Sequence, residues 1–275
     1  MGTRLRMRMH SSRRRRRYRS ALRSQPQLVP FQTTYQKETT AMKSSLVMVG
    51  AACGGTGKTT SSGILHTRLL GLGLTASYYD AEPGLGDFAQ LEPRAKLADL
   101  RELPGQQLVV DNIGKTQISV ADTPAGGLRE AVLLFKKVGL LDEARDGKFN
   151  LVIMHVARPE ARSLGEGKEI RDIIGDAGQY FIVKNHVGDL QFDSWEQDGP
   201  FAAELRMLNS VSIDIPHLPG HAMEALRKRG GPFLDFVNDQ NQSRLLRGYV
   251  NGWLQDSFKE FDRVGLLKWV APSAG

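Results

Sequence analysis

Nine consecutive residues concentrate the chemistry of this chain: Ala52-Cys53-Gly54-Gly55-Thr56-Gly57-Lys58-Thr59-Thr60. The apolar run Leu46-Val47-Met48-Val49 precedes them, and a helical pattern over residues 61–72 follows. Strand, glycine-rich turn, Lys-Thr, helix is the order that phosphate binding requires. Glycines let successive backbone N–H groups turn inward around a polyphosphate, and the helix start adds the positive end of its dipole. Lys58 reaches the β and γ oxygens of a bound triphosphate, and the Thr59 hydroxyl suits Mg2+. The strict pattern opens on glycine; Ala52 takes that place and is small enough to fit. An incidental glycine-rich turn is the bland alternative, and the flanking strand and helix argue against it. The expectation is a nucleoside triphosphate site.

Other polar residues fall where strands of this type end. Asp122 closes the run 118–121 and is the expected carboxylate behind the magnesium shell, with Thr123-Pro124-Ala125-Gly126-Gly127 suited to sense a γ-phosphate. Asp111 is a rival, because it also ends an apolar run. Asn112-Ile113-Gly114 reads as a hairpin turn joining strands at 107–111 and 117–121, so Asp122 is preferred. Asp80 and Glu82 end the second strand before Pro83-Gly84. A carboxylate there orients the attacking water or the metal shell, although Asp-x-Glu-Pro-Gly is also good turn chemistry.

The elements that must position these residues alternate between short apolar runs and helical patterns, the signature of a parallel sheet covered by helices. Strands are expected at 46–49, 75–79, 107–111, 117–121, 149–156, 180–183 and 211–215, and helices at 128–138, 163–177 and 201–208. Residues 84–106 are the least regular part of the body. Ligands sit outside the carboxyl ends of such strands, where Lys58, Asp80, Glu82, Asp122, Asn185 and Pro216 all fall.

The 275-residue chain carries a net charge of +7, but residues 1–41 hold ten arginines and Lys37 against only Glu38. The remainder has 26 basic and 29 acidic residues, so the body is mildly acidic. The tail reads three ways: an arm for nucleic acid or another anionic surface, an organellar transit peptide, or a start placed too early, since Met42-Lys43 leads straight into the first strand. Residues 42–275 are expected to form one domain, with 242–275 a helical extension. One cysteine, Cys53, excludes an intrachain disulfide framework, and no apolar stretch follows the arginines, so a cytoplasmic setting is expected.

The loop Cys53–Thr60, Asp80-Ala81-Glu82-Pro83 and Asp122-Thr123-Pro124-Ala125-Gly126 together resemble the ParA/MinD group of deviant Walker-A ATPases, over residues 43–220. The resemblance implies a doubly wound, mainly parallel α/β sheet with helices on both faces. It implies ATP and Mg2+ as ligands, a dimer that sandwiches nucleotide, and slow hydrolysis that positions DNA, division proteins or other cargo. A non-specific DNA track and a partner protein that stimulates hydrolysis follow from the same likeness. Asn185 and Pro216 match the adenine side of that group's site. Two residues depart from its pattern. Cys53 stands where the signature lysine reaches across the dimer, and Glu82 replaces the second Asp of an Asp-x-Asp pair. A weak ATPase, a nucleotide-gated adaptor and an ATP-dependent synthetase or kinase with a pocket from 84–106 and 186–200 all remain open.

Weaker signals are a thiol whose pKa tends to fall near a helix start, three histidines (His155, His186 and His217) read as loop residues facing the site, and the basic groups Arg227-Lys228-Arg229, Arg244 and Arg247. Residues 258–270 mix acidic with apolar side chains, so packing onto the body is expected rather than a membrane surface.

Overall fold

The first strand needs no polar face. Every residue of β1 (Ser44–Gly50) is buried, which explains why its centre, Leu46 to Val49, is a continuous apolar run rather than an alternation. The computed structural model describes residues 43–84, 86–187, 192 and 211–271. The chain continues through α1 (Lys58–Gly71), β2 (Ala76–Asp80), α2 (Asp87–Leu91), β3 (Lys96–Leu97), α3 (Leu103–Val110), β4 (Ile118–Asp122), α4 (Gly127–Lys137), α5 (Leu140–Arg145), β5 (Phe149–Ala157), α6 (Ala161–Ile174) and β6 (Gly178–Asn185). After β7 (Val211–Ile215) come α7 (Gly220–Arg229), α8 (Phe233–Asn238), α9 (Arg244–Arg263) and α10 (Leu266–Val270).

Seven strands form one sheet in the order β3-β2-β4-β1-β5-β6-β7, and every described pairing is parallel. Parallel neighbours require crossovers, so helices cover both faces. Alternate side chains of the central strands supply two cores. Val47, Val49, Val152 and Met154 meet α1 and α7–α10, while Leu46, Met48, Leu151 and Ile153 meet α4–α6. This is the expected doubly wound α/β fold.

Helix periodicity does the covering. On α4, Leu128, Ala131, Val132 and Phe135 are buried, spaced at i, i+3, i+4 and i+7. On α9, Val250, Trp253, Leu254, Ser257, Phe258 and Phe261 form the same stripe over three turns. The last helix is tied to the sheet through its carbonyls: Ser45 Oγ donates to Val270 O at 2.5 Å and Asn150 Nδ2 to Trp269 O at 3.1 Å. Residues 258–270 thus pack onto the body.

The hairpin expected from 107–111 and 117–121 does not form. Residues 103–110 are helix α3, with Pro104 in its first turn and Gly105 and Val109 buried one turn apart, and Asn112 Nδ2 closes its end on Leu108 O. A three-residue apolar run bounded by polar residues cannot be told from a buried helix by periodicity alone. The second half is the buried strand β4, paired with β1 and β2 rather than with its predecessor. Asp111 therefore ends a helix, which removes it as a rival to Asp122. The seventh strand is the two-residue β3 inside the segment read as irregular. The expected tail at 1–41 and helix at 201–208 lie outside the described residues.

Candidate functional site

Strand connections leave β1 and β4 in opposite directions: α1 leads across to β2, while α4 and α5 lead the other way to β5. A crevice opens between two such neighbours at their carboxyl ends. Of the residues singled out in the sequence, Thr59, Asp80 and Asp122 come together there. Gly55 and Gly57 adopt the left-handed region, with φ of 70° and 91°. At Gly57 the constraint is also steric, because a Cβ would lie 1.8 Å from Asn185 Nδ2. That amide donates to Thr56 O at 3.0 Å, so Asn185, at the end of β6, braces the loop from 129 residues away. The hydroxyl of Thr56 is buried without a partner among the described residues.

Helix α1 starts at Lys58 with no side-chain cap and no acidic residue in its first turn. First-turn amides lack intrahelical partners, and an uncapped start attracts an anion. Lys58 makes no ion pair among the described residues. The loop is fixed on its other side by the segment after β4: Gly126 N donates to Ala51 O at 2.8 Å, and Thr123 Oγ1 to Val49 O at 3.0 Å.

Val49 and Asp122 are register partners, which sets the Asp122 carboxylate beneath the start of α1. Thr59 Oγ1 donates to Asp122 Oδ2 at 3.0 Å and Ser62 Oγ to Oδ1 at 2.8 Å. Burial raises the Asp122 pKa to about 7, with Asp80 adding to the rise, against the two hydroxyls and the Lys58 charge. A hydroxyl and a carboxylate oxygen held together are the donors a hard divalent cation prefers, so these residues fit Mg2+. Ser62 was missed in the sequence, although its place three residues after Thr59 puts both on one helical face.

Asp80 and Glu82 separate. Asp80 is fully buried and pairs in register with Asp122. Its oxygens accept from Glu82 N at 3.1 Å and Ala89 N at 2.9 Å, clamping the loop to α2. Gly86 is required by that clamp, since a Cβ there would fall 2.1 Å from Asp80 Oδ1. Glu82 itself is exposed.

Cys53 Sγ donates to Glu160 Oε1 at 3.2 Å, at the start of α6. Burial, then this hydrogen bond and the Glu160 charge, push the thiol pKa up, opposite to the expected fall. Cys53 lies five residues before the helix start, too far for the dipole to dominate.

Two cavities adjoin the loop. One, of about 530 Å³, is lined by Gly55, Gly57, Lys58, Thr59 and Thr60 together with Gln90, Leu91 and Phe233. The other, of about 610 Å³, is lined by Asn185, His186, Pro216, His217 and Trp253. Pro216 follows β7, whose Ile215 is the register partner of Asn185, and its carbonyl accepts from Trp253 Nε1 at 2.9 Å. His155 is not a loop residue: it lies buried in β5, with Nδ1 2.5 Å from the Tyr180 hydroxyl and Nε2 3.2 Å from Glu166. His186 is half-buried, with Nε2 3.1 Å from Asp214 Oδ1. Of the eight loop residues from Cys53 to Thr60, five line the first cavity, while Glu82 is exposed and lines neither cavity.

A parallel sheet wound in both directions, with a glycine-rich loop and Lys-Thr after its central strand, defines a P-loop NTPase fold. No protein-family model matches the chain, and no curated protein matches it. Among solved structures it is similar to the cell-division ATPase MinD of Pyrococcus furiosus, at 16% identity and a TM-score of 0.48, covering 80% of this chain and 99% of that one. It is similar to MinD of Aquifex aeolicus, at 17% identity and a TM-score of 0.43, covering 80% and 97%. It is also similar to the septum site-determining protein MinD of Pyrococcus horikoshii, solved with Mg-ADP, at 16% identity and a TM-score of 0.46, covering 82% and 98%. Likenesses at this level add nothing to what the loop geometry itself defines.

Proposed function

We propose that this chain is an ATP-binding, slowly hydrolysing ATPase of ParA/MinD type. In this reading it works in the cytoplasm as a nucleotide-dependent dimerisation and positioning switch, in plasmid or chromosome partition or conjugative transfer. The observation that carries the reading is the Thr59–Asp122 hydrogen bond, which brings together a P-loop hydroxyl and a carboxylate from the neighbouring strand at an uncapped helix start. Lys58 and the loop amides hold the β- and γ-phosphates. Thr59 and Asp122 hold Mg2+, which when bound neutralises charge developing on the transferred phosphoryl oxygens. Glu82 orients the attacking water, and Asp80 positions Glu82 by accepting its backbone N–H. Asn185 and Pro216 form the base side. DNA and a stimulating partner protein complete the proposed cycle.

Titration of the chain with ATP and Mg2+, read by light scattering and DNA co-sedimentation, tests the reading with chains starting at Met1 and at Met42. ATP-dependent self-association is expected; a monomer with and without ATP-Mg2+ sinks the sandwich mechanism.

The Cys53 flank favours a second reading, an adaptor that binds nucleotide and barely hydrolyses it. A neutral thiol bound to Glu160 supplies no positive charge to a phosphoryl group. Turnover at the background rate, with ATP binding intact and no stimulation by DNA, separates it from the first.

A further inference from the structure

The two cavities beside the loop meet along a seam made by three residues, Val187, Met223 and Arg227, which line both. Two of the three are apolar. Arg227 lies in the last turn of α7 beside Lys228 and Arg229, and the three cations differ in their surroundings. Arg229 is engaged, with Nε 3.3 Å from Asp239 Oδ2 and Nη1 donating to Gly230 O at 3.0 Å. Lys228 lines only the second cavity. Arg227 is exposed, lines both, and makes no ion pair or hydrogen bond among the described residues, although Glu224 sits one turn before it. A guanidinium presents a fork of donors matched to a phosphate, and an unpaired one at a waist between cavities is free to take an anion.

We propose that Arg227 is a nucleotide-binding residue that takes the α-phosphate. The inference rests on the nucleotide reading of the loop and specifies a subsite within it. The terminal phosphates belong at Lys58 and the loop amides, and the base belongs between Asn185 and Pro216. What bridges the seam is then the ribose and the α-phosphate, of which only the α-phosphate is anionic. Arg227 thereby links the two ends of the site and makes affinity depend on a phosphate next to the ribose.

The test uses the full chain and its Arg227→Ala and Arg227→Lys variants, titrated with ADP, AMP and adenosine by calorimetry and by competition against a fluorescent ADP. Wild type is expected to bind AMP more tightly than adenosine. Arg227→Ala should weaken ADP and AMP about tenfold while leaving adenosine within about twofold, with Arg227→Lys between the two. Unchanged thermal midpoints show that the variants remain folded. Equal ADP and AMP affinities in wild type and variant overturn the assignment. A parallel loss for adenosine overturns it too, because Arg227 would then be serving the base or the fold. Wild type that binds none of the three ligands instead refutes the nucleotide reading of the loop.

Discussion

The two flanks of the phosphate loop are built from opposite chemistry. On the β4 side, Thr59 and Ser62 hand two hydroxyls to Asp122, the register partner of Val49, in an arrangement matched to a divalent cation. On the α6 side, Cys53 donates a hydrogen bond to Glu160, and burial pushes the thiol pKa up, keeping it neutral. One flank has the oxygen donors that binding a nucleotide with its metal demands. The other lacks the cation that stabilises charge in phosphoryl transfer. In the proposed reading, binding rests on the β4 flank and turnover draws on the Cys53 flank and Glu82, so substitutions should separate them.

The largest expected effect is on turnover. Glu82→Gln should lower ATP hydrolysis about a hundredfold while leaving ATP affinity within about twofold. Hydrolysis that survives unchanged would place the water-orienting group elsewhere. Next, Asp122→Asn should weaken ATP binding about thirtyfold with Mg2+ present and leave the metal-free affinity nearly unchanged. An equal loss in both conditions would make Asp122 a folding residue only. Cys53→Lys sharpens the contrast from the other side: a cation placed against Glu160 should raise turnover about tenfold. If neither turnover nor self-association responds, the thiol flank plays no part in either.

The smallest effect concerns a buried histidine of α1. His66 is buried, with Nε2 2.9 Å from Glu92 Oε2. Burial lowers its pKa below 6.5, partly offset by Glu92. The folded chain keeps His66 neutral and the unfolded chain protonates it, so this contribution is present above pH 6.5 and lost as pH falls below it. Burial pushes Glu92 up, but hydrogen bonds from Arg94 and the charges of His66 and Arg94 outweigh it and hold the carboxyl below 4.5. Its contribution is lost only in more acidic solution. The thermal midpoint should therefore decline between pH 7 and 5.5, and His66→Gln should flatten that decline. Parallel profiles would contradict it.

What the sequence made legible was local. The strand, loop and α1 follow from one contiguous stretch, residues 46–72, and Asp122 from its place at a strand end. The partners were not legible, because register and topology choose them. Asn185 reaches Thr56 across 129 residues, and Cys53 reaches Glu160 across 107. Asp80 looked like half of a catalytic pair, yet its burial and two backbone donors make it the clamp of a loop. Residues 107–110 misled because Leu108-Val109-Val110 is too short to carry a period, and α3 buries it as a helix.

Calorimetry with ATP and Mg2+ on the wild type and on Lys58→Ala tests the central claim most directly. One nucleotide should bind per chain, weakened at least about a hundredfold when the ammonium is removed. No heat of association for the wild type at millimolar nucleotide, or equal binding by both proteins, would contradict it.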